Sequence, residues 1–208
     1  MQASLIALLI LASIVVSSEA KASLLDAPLS YSAVREVVVD GHSYTGKVFH
    51  IAGKERDEQE ILGIPEVFIL DGATEKGRAI VPMTRTFVEF SFPPVMIRLD
   101  DPDLKKTRVA DENINGVPAT KYYVDAAAPD GTTAKGFLWF SRRGVLVKLQ
   151  GVVISAHGHH TSVAMILSHI EEGPQDKSLF AVPEGFTQLP VEALQPLLSG
   201  PPSNGRSN

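Results

Sequence analysis

Short runs of apolar residues, many of them β-branched or aromatic, alternate with turn residues along most of the chain. Residues 37–39 (Val-Val-Val) end at Asp40-Gly41, and the next run, through Ile51, ends at Gly53. Asp-Gly pairs and lone glycines between such runs are typical of β-hairpins, because these residues tolerate the positive φ of a tight turn. The pattern predicts roughly ten strands and at most two or three short helices, and therefore one antiparallel sheet or barrel-like domain.

The clearest part of this pattern is residues 120–150, which read as a three-stranded meander. Its turns are predicted at residues 129–131 (Pro-Asp-Gly) and 142–144 (Arg-Arg-Gly). Proline fixes φ, aspartate hydrogen-bonds its own backbone and glycine supplies positive φ, so each turn contains the residues that a strand reversal needs.

The central strands of the meander are apolar on both faces. Phe137 and Trp139 share one face, whereas Leu138 and Phe140 share the other. A strand of this kind needs cover on both sides, unless one side lines an apolar cavity. The meander therefore predicts either a two-sided core or a cavity wall.

Residues 54–60, KERDEQE, are polar at every position. As a strand, they would place alternate residues on opposite faces: Glu55, Asp57 and Gln59 on one, and Arg56, Glu58 and Glu60 on the other. A strand polar on both faces fits a solvated part of a sheet or the rim of an open cavity, and a short helix is the alternative.

The N-terminal residues predict export. An apolar run from Leu5 to Val16 is followed by small and polar residues, and Ala20-Lys21-Ala22 forms an A-x-A cleavage site. The run is shorter than the ~20 residues of a membrane span, which favours a signal peptide over residues 1–22 and leaves an uncleaved anchor as the alternative. We expect a periplasmic or secreted protein that begins after Ala22.

The remaining boundaries follow from composition. Residues 23–190 are predicted to form one curved antiparallel β domain, and residues 191–208 a short helix followed by a disordered tail rich in Gly, Pro, Ser and Asn. Residues 92–106 contain three prolines and interrupt the strand pattern, so they are predicted to be an irregular connection that carries Met96 over the sheet as a flap.

Composition and charge exclude several classes of function. The 208-residue chain has no cysteine and a formal net charge of -5, so it has neither a disulfide framework nor the dense basic surface that nucleic acids require. No glycine-rich phosphate loop, nucleophile elbow or nucleophile with a base at recognisable spacing is present. We therefore expect a protein that is not an enzyme, with no cofactor.

Several segments resemble a family of bacterial exported proteins that contain a domain of unknown function. They are residues 46–56, 86–89, 115–122, 144–148 and 178–186, together with Trp139. These proteins are similar to the periplasmic lipoprotein carriers of the LolA type. The resemblance covers about residues 30–190, from Ser30 to Pro190. It departs at Phe87, where an aromatic hydroxyl is common, and at the histidine cluster of residues 157–160.

The resemblance implies a mainly β (α+β) fold: a strongly curved antiparallel sheet, or half-barrel, with a few short helices on its concave side. It also implies a ligand cavity lined by aromatic and apolar side chains, for which we select Phe49, Phe68, Phe87, Phe90, Met96, Phe137 and Trp139. The alternative for these residues is an ordinary core.

Arg56, Glu58 and Glu89 form a candidate polar group that holds a lid, as an arginine does in a lipid carrier. An arginine buried in this way must be paired, because removing one partner of a buried ion pair costs about 3 to 5 kcal/mol. An ordinary surface salt bridge worth under ~1 kcal/mol is the favoured interpretation.

His157, His159 and His160 are weak candidates for a metal site. Histidine is a common metal ligand, but Gly158 predicts a turn that separates the imidazoles. A solvent-exposed hairpin tip is the favoured interpretation.

These observations favour an exported, non-enzymatic protein that binds a hydrophobic ligand, such as lipid acyl chains or a lipidated protein, inside a curved sheet. The alternative is a structural or protein-interaction module of the envelope that presents its sheet edge or its tail to a partner.

Overall fold

A computed structural model describes residue 27 and residues 29–61, 63–91, 105–128 and 130–194. The predicted signal peptide, the predicted flap with Met96 and the predicted tail lie outside the described residues, apart from residues 105–106 and 191–194. No helix in the described part of the chain has the length and apolar character needed to cross a membrane.

Twelve strands form one sheet. They are β1 (Tyr31–Val39), β2 (His42–Ile51), β3 (Lys54–Ile61), β4 (Ile64–Asp71), β5 (Lys76–Val81), β6 (Thr86–Ser91), β7 (Lys106–Ile114), β8 (Val117–Ala127), β9 (Thr133–Ser141), β10 (Leu146–Ile154), β11 (His160–Glu172) and β12 (Thr187–Leu189).

The sheet is two runs of hairpins joined side by side. Its strand order is β12-β6-β5-β4-β3-β2-β1-β11-β10-β9-β8-β7, and antiparallel pairing of β1 with β11 joins the two runs. Only β12 runs parallel to its neighbour, β6. The predicted antiparallel sheet and the meander, now β8 to β10, are confirmed, and residues 54–60 lie in a strand rather than a helix.

The prediction of a few short helices on the concave side is wrong for the described residues. Their only helical segments are three single-turn 3₁₀ helices, Pro82–Thr84, Lys177–Phe180 and Val191–Leu194. The second is fixed by Asp176, whose side chain accepts a hydrogen bond from the backbone N–H of Ser178. Segments this short stabilise turns and cannot cover a sheet as an amphipathic helix would.

Four glycines in strand interiors identify the direction in which the sheet bends. The pairing register places Gly46, Gly77, Gly136 and Gly151 on the same face, which we call the glycine face. A Cβ added at Gly46 would lie 2.4 Å from the carbonyl oxygen of Glu58, and one at Gly136 would lie 2.3 Å from that of Gln150. Cβ atoms crowd against neighbouring strands on the inside of a bend, so the glycine face is the concave one.

The main core lies largely on this glycine face and spans both runs of hairpins. Val48 and Val147 are completely buried, and Leu167 and Val39 are 1% exposed. Other glycine-face members of the same cluster are Tyr31, Val37, Val124, Leu138 and Met165. Because residues from β1, β2 and from β8 to β11 belong to one cluster, the two runs of hairpins are held by apolar burial as well as by the β1–β11 ladder.

A second, smaller core lies on the opposite face of β2 to β6, beneath a segment that we call the C-terminal strap, residues 177–189. Its buried members are Val67, Ile69, Ile80 and Phe180. The partly buried side chains around them are Phe49, Ile51, Phe87, Leu179, Val182 and Phe186.

Polar contacts fasten the C-terminal strap. Arg56 Nη1 donates to the carbonyl oxygen of Leu179 at 2.8 Å, and the backbone N–H of Thr187 donates to the carbonyl oxygen of Arg85 at 2.9 Å. The strap ends as β12, which pairs with β6 and covers that edge of the sheet.

The edge at the other end of the sheet, β7, is longer and mostly exposed. A bulge between Arg108 and Ala110 disrupts its ladder, and Arg108 pairs with Asp111 on its surface. Bulges and charges on an edge strand oppose pairing with a further strand. This edge is therefore poorly suited to strand addition by a partner.

Gly46→Ala should lower the free energy of unfolding by about 2 kcal/mol or more, because the new Cβ would overlap the backbone of β3 at the bend. Urea unfolding followed by circular dichroism measures the change. Thr45→Ala, at the neighbouring exposed position of β2, is the control and should cost less than about 1 kcal/mol. Equal costs for the two variants would contradict the assignment of the bend.

Candidate functional site

The aromatic residues selected as cavity lining do not share one face. Phe68 pairs with Ala79, and Phe90 pairs with Gly77, so both phenyl rings belong to the glycine face. The Phe90 ring lies over Gly77, where an added Cβ would be 2.3 Å from it. This ring takes the place of the missing side chain at Gly77.

The other described candidates belong to the opposite face. Phe49 and Phe87 pack beneath the C-terminal strap, in the second core. Phe137 and Trp139 lie farther along the same face, on β9. The structure therefore brings Phe68 and Phe90 together with the concave surface and separates the other four from it, and the role of the first two as lining stays a prediction.

Trp139 is buried beneath charged side chains rather than exposed to a ligand. It is 2% exposed, and its Nε1 donates to Glu112 Oε2 at 2.8 Å. The Nζ atoms of Lys121 and Lys148, on the two neighbouring strands, lie 4.8 and 4.5 Å from its ring centroid. Cation–π contacts from both sides fix this side chain on the convex surface.

The predicted polar lid group is divided between two places. Arg56 Nε donates to Glu58 Oε1 at 2.7 Å, and the same guanidinium holds Leu179 of the C-terminal strap. Glu89 instead forms an ion pair with Arg78 on the neighbouring strand, at 3.0 Å. Arg56 does hold a covering segment, but that segment lies on the convex side.

A charged cluster that the sequence did not single out lies on the glycine face. Arg35, on β1, donates from Nη1 to Asp57 Oδ1 and from Nη2 to Glu55 Oε1, each at 2.8 Å. The Arg35 and Glu55 side chains are 15% and 9% exposed. The guanidinium group of Arg35 therefore donates hydrogen bonds to two carboxylates in a mostly buried site.

Arg35 reaches β3 because the intervening strand has no side chain at the crossing point. Gly46 of β2 is the residue paired with Arg35 on one side and with Gln59 on the other. A side chain at Gly46 would stand between the guanidinium and the carboxylates of β3. The glycine that permits the bend therefore also permits the ion pairs.

Two further groups complete this cluster. His50 is completely buried and stacks on Tyr31, with 5.0 Å between the ring centroids. Its Nε2 lies 3.2 Å from the carbonyl oxygen of Ala27, which can only accept, so Nε2 carries a hydrogen. Its Nδ1 faces Glu55 Oε2 at 3.6 Å.

The two carboxylates titrate very differently. Burial raises the pKa of Asp57, and the neighbouring charge of Glu55 adds to this, so that the pKa reaches about 7 in spite of Arg35. Burial also opposes ionisation of Glu55, but Arg35 and His50 outweigh it and lower the pKa of Glu55 to about 2. Two carboxylates that share one guanidinium cannot both ionise freely in a buried site, and Asp57 is the one that keeps a proton.

A second polar pair lies beside this cluster on the same face. Gln59 of β3 pairs with Glu66 of β4. Glu66 is 5% exposed, and burial raises the pKa of its carboxyl group. Gln59 Nε2 is buried without a hydrogen-bond partner among the described residues.

The histidine cluster lies at an exposed turn. The backbone oxygen of Ser155 accepts from Gly158 N–H, and the backbone N–H of Ser155 donates to the backbone oxygen of His159, which closes the loop between β10 and β11. His157, His159 and His160 are all exposed. The described residues contain no group of three His, Cys, Asp or Glu side chains placed to hold a metal ion.

The arrangement on the glycine face is suited to binding. It combines a concave apolar surface over β4 to β6, most of whose side chains are already buried, with a mostly buried charged cluster. Three buried polar atoms have no hydrogen-bond partner in the described part of the chain: Arg35 Nε, His50 Nδ1 and Gln59 Nε2. None of the described serine or threonine hydroxyl groups is hydrogen-bonded to a histidine within this cluster, where the two carboxylates are occupied by Arg35. The charged groups of this cluster are suited to electrostatic recognition.

Comparison with known proteins gives likeness at the level of the fold. No protein-family model and no curated protein matches the chain. Among solved structures, MucB matches with a TM-score of 0.51 and 14% identity, covering 88% of this chain and 65% of that one. An uncharacterized conserved protein from Thermus thermophilus matches with a TM-score of 0.50 and 12% identity, covering 80% of this chain and 96% of the other.

A LolA superfamily protein from Nitrosomonas europaea also matches, with a TM-score of 0.42 and 10% identity over 83% of this chain and 96% of that protein. A LolA superfamily protein is thus among the solved structures to which this chain is distantly similar, as the sequence resemblance predicts. This chain spans about two thirds of MucB or less, since the shares of the MucB chains that it covers are 56%, 58% and 65%.

The pH dependence of stability should reveal the proton on Asp57. Its pKa in the folded protein, about 7, lies above the value of 3.8 for a free side chain, so the folded state keeps a proton that the unfolded state releases between these values. The free energy of unfolding of the wild type, relative to Asp57→Asn, should therefore fall as pH rises from about 4 to about 7, by on the order of 1 kcal/mol per pH unit.

Urea unfolding of both proteins at each pH measures this difference. Asp125→Asn, at an exposed ion pair with Lys135, is the matched control and should give a much flatter difference. A difference between wild type and Asp57→Asn that stays constant over this range would show that Asp57 is ionised throughout.

Proposed function

We propose that this protein is an exported, non-enzymatic binding protein that holds a hydrophobic ligand, such as lipid acyl chains or the acyl group of a lipidated protein, against the glycine face of its sheet. The observation that carries the proposal is the bend toward that face, since it turns an apolar sheet surface into a concave one. Concave, mostly apolar surfaces with a few polar groups are the usual form of a small-molecule site.

The surface in question extends over β4 to β6. Its glycine-face side chains on these strands include Phe68, Leu70, Ala79 and Val88, which are 3 to 7% exposed, and Phe90, which is partly buried. A ligand would therefore have to replace the cover that these side chains already have. Burial of acyl chains against such a surface contributes about 25 cal/mol per Å² of apolar area removed from water. A ligand held in this way needs no conspicuous catalytic residue.

An envelope location agrees with the apolar N-terminal run and with the fold shared with MucB. Export of the chain and cleavage after Ala22 belong to the proposal. Intact-mass measurement of the exported protein tests both, because a retained leader would leave residues 1–22 in the mass.

A protein partner is the second candidate. MucB, which shares this fold, has been solved in complex with MucA. For this chain, the bulge and charges on β7 oppose strand addition at that edge, and β12 covers the other edge. A partner would therefore have to use a sheet face or the acyl-binding surface itself.

The direct experiment is native mass spectrometry of protein purified from an envelope fraction, followed by solvent extraction and lipid analysis. We expect a bound species that carries acyl chains. Protein that has no extractable lipid and also gives no saturable binding of a fluorescent fatty acid would overturn the proposal.

Phe90→Ala and Phe87→Ala form a matched pair, because both rings are partly buried on β6 but lie on opposite faces. Phe90→Ala should weaken binding of a fluorescent fatty acid by about tenfold, as expected for loss of one phenyl contact, whereas Phe87→Ala should leave the affinity within about twofold.

Fluorescence titration measures both affinities, and near-ultraviolet circular dichroism confirms that each variant is folded. Equal effects on affinity would show that the ligand does not use the glycine face. A larger effect for Phe87→Ala would place it beneath the C-terminal strap instead.

A further inference from the structure

Acidic side chains outnumber basic ones on the glycine face of β1 to β6. Its described charged side chains are one cation, Arg35, and three carboxylates, those of Glu55, Asp57 and Glu66. Arg35 is already engaged by two of the carboxylates, at 2.8 Å each. The third carboxylate therefore has no cation among the described residues of this face.

Glu66 stands apart from the ion pairs although it is buried. It is 5% exposed, and no described residue forms a salt bridge or a side-chain hydrogen bond with its carboxyl group. The Glu66 oxygens are not among the fully buried atoms that lack a partner, so they keep some contact with water. A largely buried carboxylate without a cation still loses hydration, so such groups are normally paired, protonated or in contact with a ligand.

Gln59 is a second, independent sign of an unfilled polar site. It is the residue paired with Glu66, and its Nε2 is buried without an acceptor in the described part of the chain. Because the amide makes no hydrogen bond at Nε2, rotating it to present Oε1 loses no bond there. Gln59 can therefore supply an acceptor beside the carboxylate of Glu66.

Glu66 and Gln59 lie next to the apolar surface of β4 to β6. Glu66 precedes Phe68 and Leu70 on the same face of β4, and the cluster around Arg35 lies on the adjacent strand. A ligand whose chain lies along Phe68 toward Phe90 would place its head at Glu66. The two parts of the site thus belong to one continuous surface.

We propose that Glu66 and Gln59 bind a protonated primary amine at the head of the acyl-chain ligand, so that the preferred ligands are amine-headed amphiphiles rather than fatty acids. This inference rests on the proposed function, because it assumes that the chain of the ligand occupies the glycine face. The ammonium supplies the missing cation, and its three N–H groups donate to the Glu66 carboxylate and to the Gln59 amide oxygen. A fatty acid would instead bring a further carboxylate to an acidic surface.

Three probes with the same chain test the head group: dodecylamine, dodecanoic acid and dodecanol. Each competes with a fluorescent acyl probe for the wild-type protein at pH 7 and low salt, below its micelle concentration. Dodecylamine should displace the probe at a concentration about tenfold lower than the other two, as expected for one charge-assisted hydrogen-bonded contact.

Variants separate this site from general attraction of a cation to an acidic protein. Glu66→Gln should remove the preference for the amine while leaving dodecanol unchanged. Glu60→Gln, an exposed position at the end of β3, removes the same charge elsewhere and should keep the preference. Gln59→Glu adds a carboxylate beside Glu66 and should increase the preference, so the test does not depend on a loss of function alone.

The outcomes distinguish the two proposals. Equal displacement by all three probes would overturn the amine site and leave acyl-chain binding intact. Displacement by none would overturn both. A preference for the amine that Glu66→Gln and Glu60→Gln reduce equally would show general electrostatic attraction, and would also overturn the amine site.

Discussion

The bend of the sheet toward its glycine face is the constraint on which the rest of the structure depends. At Gly46 and Gly136, a Cβ would lie within 2.4 Å of a backbone oxygen of the neighbouring strand, so a side chain and the bend exclude each other. The same bend makes one face concave and the other convex. The convex face over β2 to β6 is covered by an extended segment, the C-terminal strap, rather than by a helix.

The charged cluster is a second result of that constraint. With glycine at position 46, Arg35 crosses β2 and meets two carboxylates of β3. A buried ion pair of this composition adds little stability compared with an apolar core, since the loss of hydration offsets most of the attraction. This small net gain agrees with the role in ligand recognition that is proposed above for the glycine face.

Much of the fold followed from local patterns, and much of the site did not. The Asp-Gly and Arg-Gly turns indicated the hairpins, and the alternation in residues 54–60 assigned Glu55 and Asp57 to one face correctly. Arg35 was not singled out, although it alternates with the apolar residues Ala33 and Val37 on one face of β1, and that alternation was the available signal. The division of the aromatic residues between two faces depends on register across several hairpins, which local patterns do not determine.

The α-helices expected on the concave side are absent from the described residues for a similar reason. They were implied by resemblance to a fold and not by any amphipathic period in the residues described here, which form single 3₁₀ turns instead. Likeness of fold at 12 to 14% identity extends to the sheet and does not determine which elements pack on it.

The join between β1 and β11 has a consequence for the order of assembly. Asp40 and Ser162 are hydrogen-bonded across 122 positions of the chain, whereas every other antiparallel pair of described strands closes through a local hairpin. Each run of hairpins can thus form early, but β1 keeps an open edge until β11 has been synthesised. Contacts between residues so distant in sequence slow folding and leave an unpaired strand exposed in the meantime. If the chain is exported, as proposed above, and is unfolded at that stage, this interval falls outside the cell's interior, and the unpaired edge of β1 is then protected only by fast folding or by a partner.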